Sequence, residues 1–539
     1  MAGRNIRTPA GLKFSPLRRR VLRAGFAAGA LFLPVPYAWG WAQSEGTLKL
    51  LRLPKLALVV GNSKYKEAPL KNPANDARAI GETLRQTGFE VTVKLDAGRA
   101  ELAAAVQTYV QELAKRKGVG LFYFAGHGVQ LAWRNYMLPV DADIDTVADI
   151  PTQAVEVGGL LKGIGSAANP LNVIILDACR DNPFGGLRGV DHKGLSQMDA
   201  PLSTLLAYAT SPGNTASDGD GVNGLYTENL LKEIKVPAAK IEDVFKRVRL
   251  GVRRRSNGQQ IPWESTSLEE DFYFLPPKEL KRISEQEQEK QFNEELVIWE
   301  KIKESKEPGP LEDYLRKYPG GRFAELAQFQ LDRVLARLGE KKIEIAPSQG
   351  NPFTKGTARI DTNFKIGDSY RYREIDLFTK LDTRTRTNRV TGITDTEVLF
   401  NNGQLVTDLF GNILRRPDGI RFTGAQFFIP EYTVGKKWAT RFRLTRPDGA
   451  TSDTDYQLKV VAREQVTVPA GTFEAYKIEG QGWGTYFTGS GGSGNFNLQT
   501  RYWIAPGIRR IVANEYMRKH SSGKVLNSER LELTAYSQA

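Results

Sequence analysis

The sequence predicts an α/β domain, a mostly parallel six-stranded sheet between layers of helices, followed by a helical segment and an all-β region. Apolar, β-branched runs alternate with helix-period segments from about residue 54 to 275, the pattern of a parallel sheet covered on both faces. From Pro276 the chain turns to charged helical patterns. Beyond about residue 358 it breaks into short strand-like runs between turn signals, which predicts a sandwich or barrel. Its 539 residues also exceed what one hydrophobic core usually serves.

Within residues 50–277, "KLALVVGN" (55–62) is an apolar run closed by turn residues. A helix is expected from about Asn75 to Thr87, then a second strand in "FEVTVKL". "RAELAAAVQTYVQELAKR" sets Leu102, Val106, Tyr109, Val110 and Leu113 on one helical face. "VGLFYFAGHG" is a third strand, and its continuous apolarity is that of a strand buried on both sides. "LNVIILDAC", "LSTLLAYATSPG" and "EDFYFLP" read as the fourth, fifth and last strands. Residues 278–345 are charged and helical, and "LEDYLRKYPGGRFAELAQFQLDRVLARL" reads as one tetratricopeptide-like helix pair broken at "YPGG". No fixed-period repeat follows it, so a solenoid is not indicated. Residues 346–357 are a linker by composition, and 358–539 form the β-rich region. Within that region "TGSGGSGNF" (488–496) is glycine-rich enough to be expected as a loop.

Net charge argues little about partners. Seven cations precede residue 24 with no acid to offset them, and removing them takes the formal +14 to +7 over the remaining chain. No dominant basic block is left, and no nucleic-acid partner is expected. Residues 1–42 read as an export signal: a basic stretch to Arg23, the uncharged "AGFAAGALFLPVPYAWGWA", and small residues Gly40 and Ala42 at a cleavage position. "RRRVLR" (18–23) fits a twin-arginine pattern. The same stretch would nearly span a bilayer as an uncleaved anchor, against which Pro34 and Pro36 argue. The expected location is the periplasm or outside the cell, with membrane contact only through the signal.

Cys179 is the only cysteine, so the chain has no internal disulfide and no zinc site built on thiolates. In an exported protein it is either a buried filler or a working thiol. A thiol hydrolase needs a thiolate, a histidine to carry its proton, and donors for an oxyanion. Of the three histidines, His127 lies between glycines in "YFAGHGVQ", and Cys179 follows 52 residues later at the end of another apolar strand. His192 and His520 have no such setting, and His520 beside Lys519 reads as an ordinary surface residue. In open α/β sheets ligands bind beyond the carboxyl ends of the strands.

"ALVVGN", "NDARAIGETLRQTGFEV", "GHG", "DACR" and "AYATSPG", in that order, resemble the catalytic domain of the caspase-like cysteine proteases (peptidase C14), closest to the metacaspase and paracaspase type. The resemblance implies the caspase–haemoglobinase fold, a three-layer αβα sandwich. It also implies His127 as general acid/base, Cys179 as nucleophile, and the backbone N–H groups of Gly128 and Cys179 as the oxyanion hole. Where aspartate-specific caspases hold a glutamine two residues before the cysteine, this chain has Asp177. Arginines of that pocket fall near Asp76 and Asp218. A hollow lined by these aspartates would repel a substrate carboxylate and attract Arg or Lys. One such pair at ~4 Å is worth about 4 kcal/mol at an effective dielectric near 20. Many metacaspases carry serine two residues before the histidine, where this chain has Ala125.

The expected activity is therefore that of a cysteine endopeptidase cleaving after Arg or Lys. The exposed, glycine-rich "GGLRGVDHKGLS" (185–196) offers Arg188 and Lys193 for self-processing. No cofactor is expected, and the acids of "RDNPFGG" and "SDGDG" lack a ligand spacing that would call for calcium. A catalytically silent scaffold, and a lipid- or glycan-binding role for residues 358–539, stay open at this level.

Overall fold

The computed structural model describes residues 38–178, 194–216, 219, 221–279, 285–340, 350–354, 356–487 and 493–539. Residues 1–37 of the expected export signal, and Cys179, Arg188, His192, Lys193 and Asp218, lie outside the described residues. Helix α1 (Ala38–Arg52) leads into β1 (Lys55–Gly61), α2 (Pro73–Gln86), β2 (Glu90–Leu95), α3 (Arg99–Arg116) and β3 (Val119–Ala125). A small antiparallel sheet follows, made of β4 (Gly128–Leu131), β5 (Arg134–Met137) and β6 (Val155–Glu156). Then come α4 (Val157–Ala167), β7 (Leu171–Asp177), β8 (Thr204–Tyr208), α5 (Leu225–Ile234), α6 (Ile241–Arg255) and β9 (Trp263–Thr266).

The main sheet runs β2-β1-β3-β7-β8-β9. All its pairings are parallel except β8 with β9. Every residue of β3 and β7 is buried, as their unbroken apolarity requires of central strands. The register shows why helices cover both faces. Gly61 of β1 lies under Pro73 and Ala77 of α2, whereas Gly120 of β3 lies under Tyr109 and Leu113 of α3. Gly120 stands beside Leu56, five residues from Gly61 on β1. An odd separation along a strand reverses the face, so α2 and α3 are on opposite sides.

The sixth strand departs from expectation. "EDFYFLP" is not a sheet strand; β9 is Trp263–Thr266, antiparallel at the edge. Phe272 and Phe274 are instead buried as an aromatic plug, with rings 6.5 Å from that of Phe89. Their alternation reflects packing onto a cluster, not a ladder.

Helices α7 (Glu285–Ile302), α8 (Pro308–Lys317) and α9 (Ala324–Arg337) gather around Trp299, Leu311, Tyr314 and Phe323. Leu250 of α6 joins the same cluster, and Arg253 of α6 pairs with Asp332 and Glu340. Among the described residues, Thr357–Arg359 and Glu431–Thr433 pair as a two-stranded sheet, and the other strands form one closed antiparallel barrel. It runs from Ser369–Asp376 to Val525–Ser537, and these two strands pair to close it. Its inward rows are apolar, as in Tyr456, Leu458 and Val460, while Asp453, Asp455, Gln457 and Lys459 alternate outward. This is the inverse of the arrangement a lipid-spanning barrel needs. Gly480, Gly482 and Gly484 face the interior, where a Cβ would strike Leu458, Tyr456 and Phe496 respectively. Large neighbours thus fill the lumen over a glycine row. The glycine-rich stretch expected as a loop through 496 is strand from Ser493, in register with Phe487.

A strap formed by residues 351–354 and 356–357 ties the barrel to the α/β domain. Asn351 Nδ2 donates to the Gln197 carbonyl at 2.8 Å, and Gln197 Nε2 donates to Thr357 Oγ1 at 2.7 Å. Thr354 Oγ1 donates to Asp199 at 2.6 Å, and the Arg134 guanidinium lies over the Phe353 ring.

Candidate active site

The carboxyl ends of β3 and β7 set the site. Their register runs to Ala125 beside Asp177, and the Gly126 N–H still donates to the Asp177 carbonyl at 3.3 Å. The strand ends stay in contact one step further. A Cβ on Gly128 would lie 2.7 Å from the Ala178 carbonyl oxygen and 3.0 Å from the Ala178 side chain. Only glycine fits there, so the residue after His127 is packed against the residue before Cys179. Gly126 adopts φ +157° and faces Tyr65, and the two glycines of "GHG" together let the chain turn sharply.

His127 is buried at 3% exposure and held from three directions. Its Nε2 is 2.7 Å from the Ala68 carbonyl. A carbonyl only accepts, so Nε2 carries the proton and Nδ1 is the basic nitrogen. Ala68 is in the left-handed region at φ 49°, an uncommon conformation for a non-glycine residue, and this aims its carbonyl at the imidazole. The His127 backbone N–H donates to Tyr65 Oη at 2.9 Å, and that hydroxyl donates to the Leu138 carbonyl at 3.1 Å. The Tyr65 ring lies 4.5 Å from the imidazole at 59°. The Leu138 N–H returns a bond to the His127 carbonyl, and the Tyr65 hydroxyl bridges the other half of this opposed pair. Gly128, opposite Met137, is then at the alternate position, where the N–H points away from the partner strand.

The aspartates fall into one neighbourhood. Asp177, at 2% exposure, accepts from Thr227 Oγ1 at 2.9 Å and Tyr123 Oη at 3.3 Å on one carboxylate oxygen. Those two hydroxyls are 2.6 Å apart. Asp76, fully buried in the first turn of α2, accepts from Asn223 Nδ2 at 2.9 Å and the Gly224 N–H at 3.0 Å. Burial first, then the negative charges of Asp177 and Asp76, push the Tyr123 phenol well above its usual range. Both carboxylates thus act on the same phenol. Among the described residues no three His, Cys, Asp or Glu side chains converge as a metal site would.

Sequence reasoning named His127, Gly128, Asp177 and Asp76 but missed Tyr65, Ala68, Tyr123 and Thr227. "GNSKY" puts a tyrosine just beyond a strand end, which was the one available signal for Tyr65.

Sheet order, strand-tip histidine and buried aspartates define an α/β domain of the caspase type. The family model described as the caspase domain matches residues 54–273, and that segment belongs to this family. Residues of the chain are 38% identical, over 165 positions, to mucosa-associated lymphoid tissue lymphoma translocation protein 1 of Homo sapiens; the match covers 30% of this chain and 19% of that protein. The Mus musculus homolog is 37% identical over 175 residues, covering 32% and 20%. The chain thus spans about a fifth of the length of the curated relatives it matches.

Proposed function

We propose that the chain is a cysteine endopeptidase that cleaves after Arg or Lys, with Cys179 as nucleophile and His127 as acid/base. The observation that carries this reading is the close contact of Gly128 with Ala178. It brings the neighbours of His127 and Cys179 together, and one peptide step is only about 3.8 Å. In the proposed reaction the thiolate sulfur bonds to the scissile carbonyl carbon, while His127 Nδ1 holds the thiol proton. The oxyanion takes N–H bonds from Gly128 and Cys179, at positions where fixed donors are worth most. The imidazolium then protonates the departing amine, and water releases the acyl group. The Ala68 carbonyl keeps the required tautomer through the cycle.

Arg or Lys preference is supported by Asp177 and Asp76, two largely dry carboxylates. Their negative charge attracts a cationic substrate side chain and repels an anionic one. Export through residues 1–42 and self-cleavage after Arg188 or Lys193 belong to the same proposal. The test is a fluorogenic peptide ending in Arg. The wild type should release the fluorophore and Cys179→Ala should not. Release by neither protein would favour a silent scaffold, and equal release by both would remove Cys179 from the mechanism.

A further inference from the structure

At one end of the barrel two neighbouring hairpins present a different surface. The strand Ser369–Asp376 turns at 377–381 into Asp382–Ile393, and the strand Ile511–His520 turns at 521–524 into Val525–Ser537. The Leu377 N–H bonds to the Ser528 carbonyl, so the tips lie side by side. Phe378 is 65% exposed, Leu381 67% and Leu526 49%. Around them the exposed ionised residues of 378–384 and 521–526 are Lys380, Arg384 and Lys524 against Asp382, whereas Arg386 and Arg389 lie farther down the strand opposite Tyr372 and Ser369. Three exposed cations to one exposed acid is a positive bias at the outermost surface, above the half-buried Glu374, Asp376 and Glu529.

The tip is also fixed in advance. One Asp376 carboxylate oxygen accepts the Phe378 N–H at 2.9 Å and the Thr379 N–H at 2.8 Å. The Lys380 N–H reaches the Asp376 carbonyl, the Asp376 N–H reaches the Leu381 carbonyl, and Lys380 takes φ 58°. Phe378 and Leu381 are thus held outward by a fully bonded turn, and little ordering entropy remains to be lost on contact. The location matters equally. Neighbouring strands alternate in direction, so these turns share an end with the 446–450 turn, opposite the turns at 434–436 and 469–470. The opposite end meets the α/β and helical parts through Gly435 against Thr266 and Ser267 and Lys436 with Glu325, while Glu289 of α7 reaches Arg443 nearer the 446–450 turn.

The geometry points to a membrane-docking tip: Phe378, Leu381 and Leu526 enter the headgroup boundary of an anionic bilayer while the surrounding lysines and arginines engage lipid phosphates. A protein partner fits less well, because protein interfaces are broad and depleted of lysine. Here a few apolar side chains stand on narrow turns beside the exposed Lys380, Arg384 and Lys524, the pattern of an interfacial anchor. The inference is independent of the peptidase reading.

The experiment uses the full chain with Cys179→Ala, so that a nitroxide label reacts at one introduced thiol, Phe378→Cys or, as control, Asp448→Cys. Residues 1–42 carry seven cations and an apolar stretch of their own, so pelleting with vesicles does not by itself decide. On mixed phosphatidylglycerol–phosphatidylcholine vesicles the 378 label should become shielded from a water-soluble relaxing agent while the 448 label stays accessible. Phosphatidylcholine alone should shield far less. In the label-free chain, Phe378→Ser with Leu381→Ser should weaken anionic-vesicle binding about tenfold or more. The proposal is overturned if the 378 label stays water-accessible on vesicle-bound protein, if neutral vesicles shield it equally, or if it is shielded without vesicles as concentration rises, which would mean a second copy covers the tip.

Discussion

At the scale of single residues, one hydroxyl and one missing methyl decide most of the site. Tyr65 Oη accepts from the His127 N–H and donates to Leu138. Tyr65→Phe keeps the ring against the imidazole but strips both bonds, at about 1–3 kcal/mol. A lowered melting temperature and a kcat reduced more than KM is the expected result. Gly128→Ala pushes a methyl onto the Ala178 carbonyl, and kcat/KM on an Arg peptide should fall more than about tenfold, since misplacement of about 1 Å is costly in a near-attack geometry. Asp177→Asn keeps the volume and removes the charge. About 3 kcal/mol of preference for Arg should go with it, roughly a hundredfold in kcat/KM, measured against a neutral-residue peptide as internal control. His127 and Asp177 were legible in the sequence because each polar residue follows directly on an unbroken apolar strand. Tyr65 and Ala68 were not, since they reach His127 from a loop whose left-handed residue leaves no compositional trace.

At the scale of elements, alternation alone does not tell a ladder from a plug. "DFYF" has the period of a strand, yet Phe272 and Phe274 meet Phe89 instead of a strand partner. "WEST", with two polar residues and a serine that is nonetheless buried, carries the sixth strand. The barrel holds a titratable group of its own. Asp408 sits at the end of a short strand, buried, and accepts from Asn412 and from the backbone of Phe410 and Asn412. Burial outweighs these bonds and raises its carboxyl from 3.8 to about 6. The folded chain therefore binds this proton more tightly than the unfolded one. Stability from this group is complete below pH 3.8 and is lost as pH climbs through about 6, at a cost of about 3 kcal/mol. Calorimetry should show Asp408's contribution as a higher melting temperature at pH 5 than at pH 7, a difference that Asp408→Asn diminishes.

At the scale of the whole molecule, the three parts were visible as changes in residue pattern, but their closure was not. The barrel is sealed by pairing Ser369–Asp376 with Val525–Ser537, strands some 150 residues apart, and no local signal records a partner at that distance. The strap was equally hidden, because "GNPFT" has a linker's composition while its Asn351, Phe353 and Thr354 each find a fixed partner. That strap has a bearing on what happens if the chain is cut between 179 and 193. Upstream of such a break, β7 lies wholly buried between β3 and β8. Downstream, Ser196 exchanges bonds with Asn135, and Gln197 and Asp199 are grasped by the chain that leads into the barrel. Severing the polypeptide there removes a covalent link but no part of this grip. Two bands on a denaturing gel should accordingly travel as one particle of undiminished mass through a sizing column, parting only when the fold itself is undone.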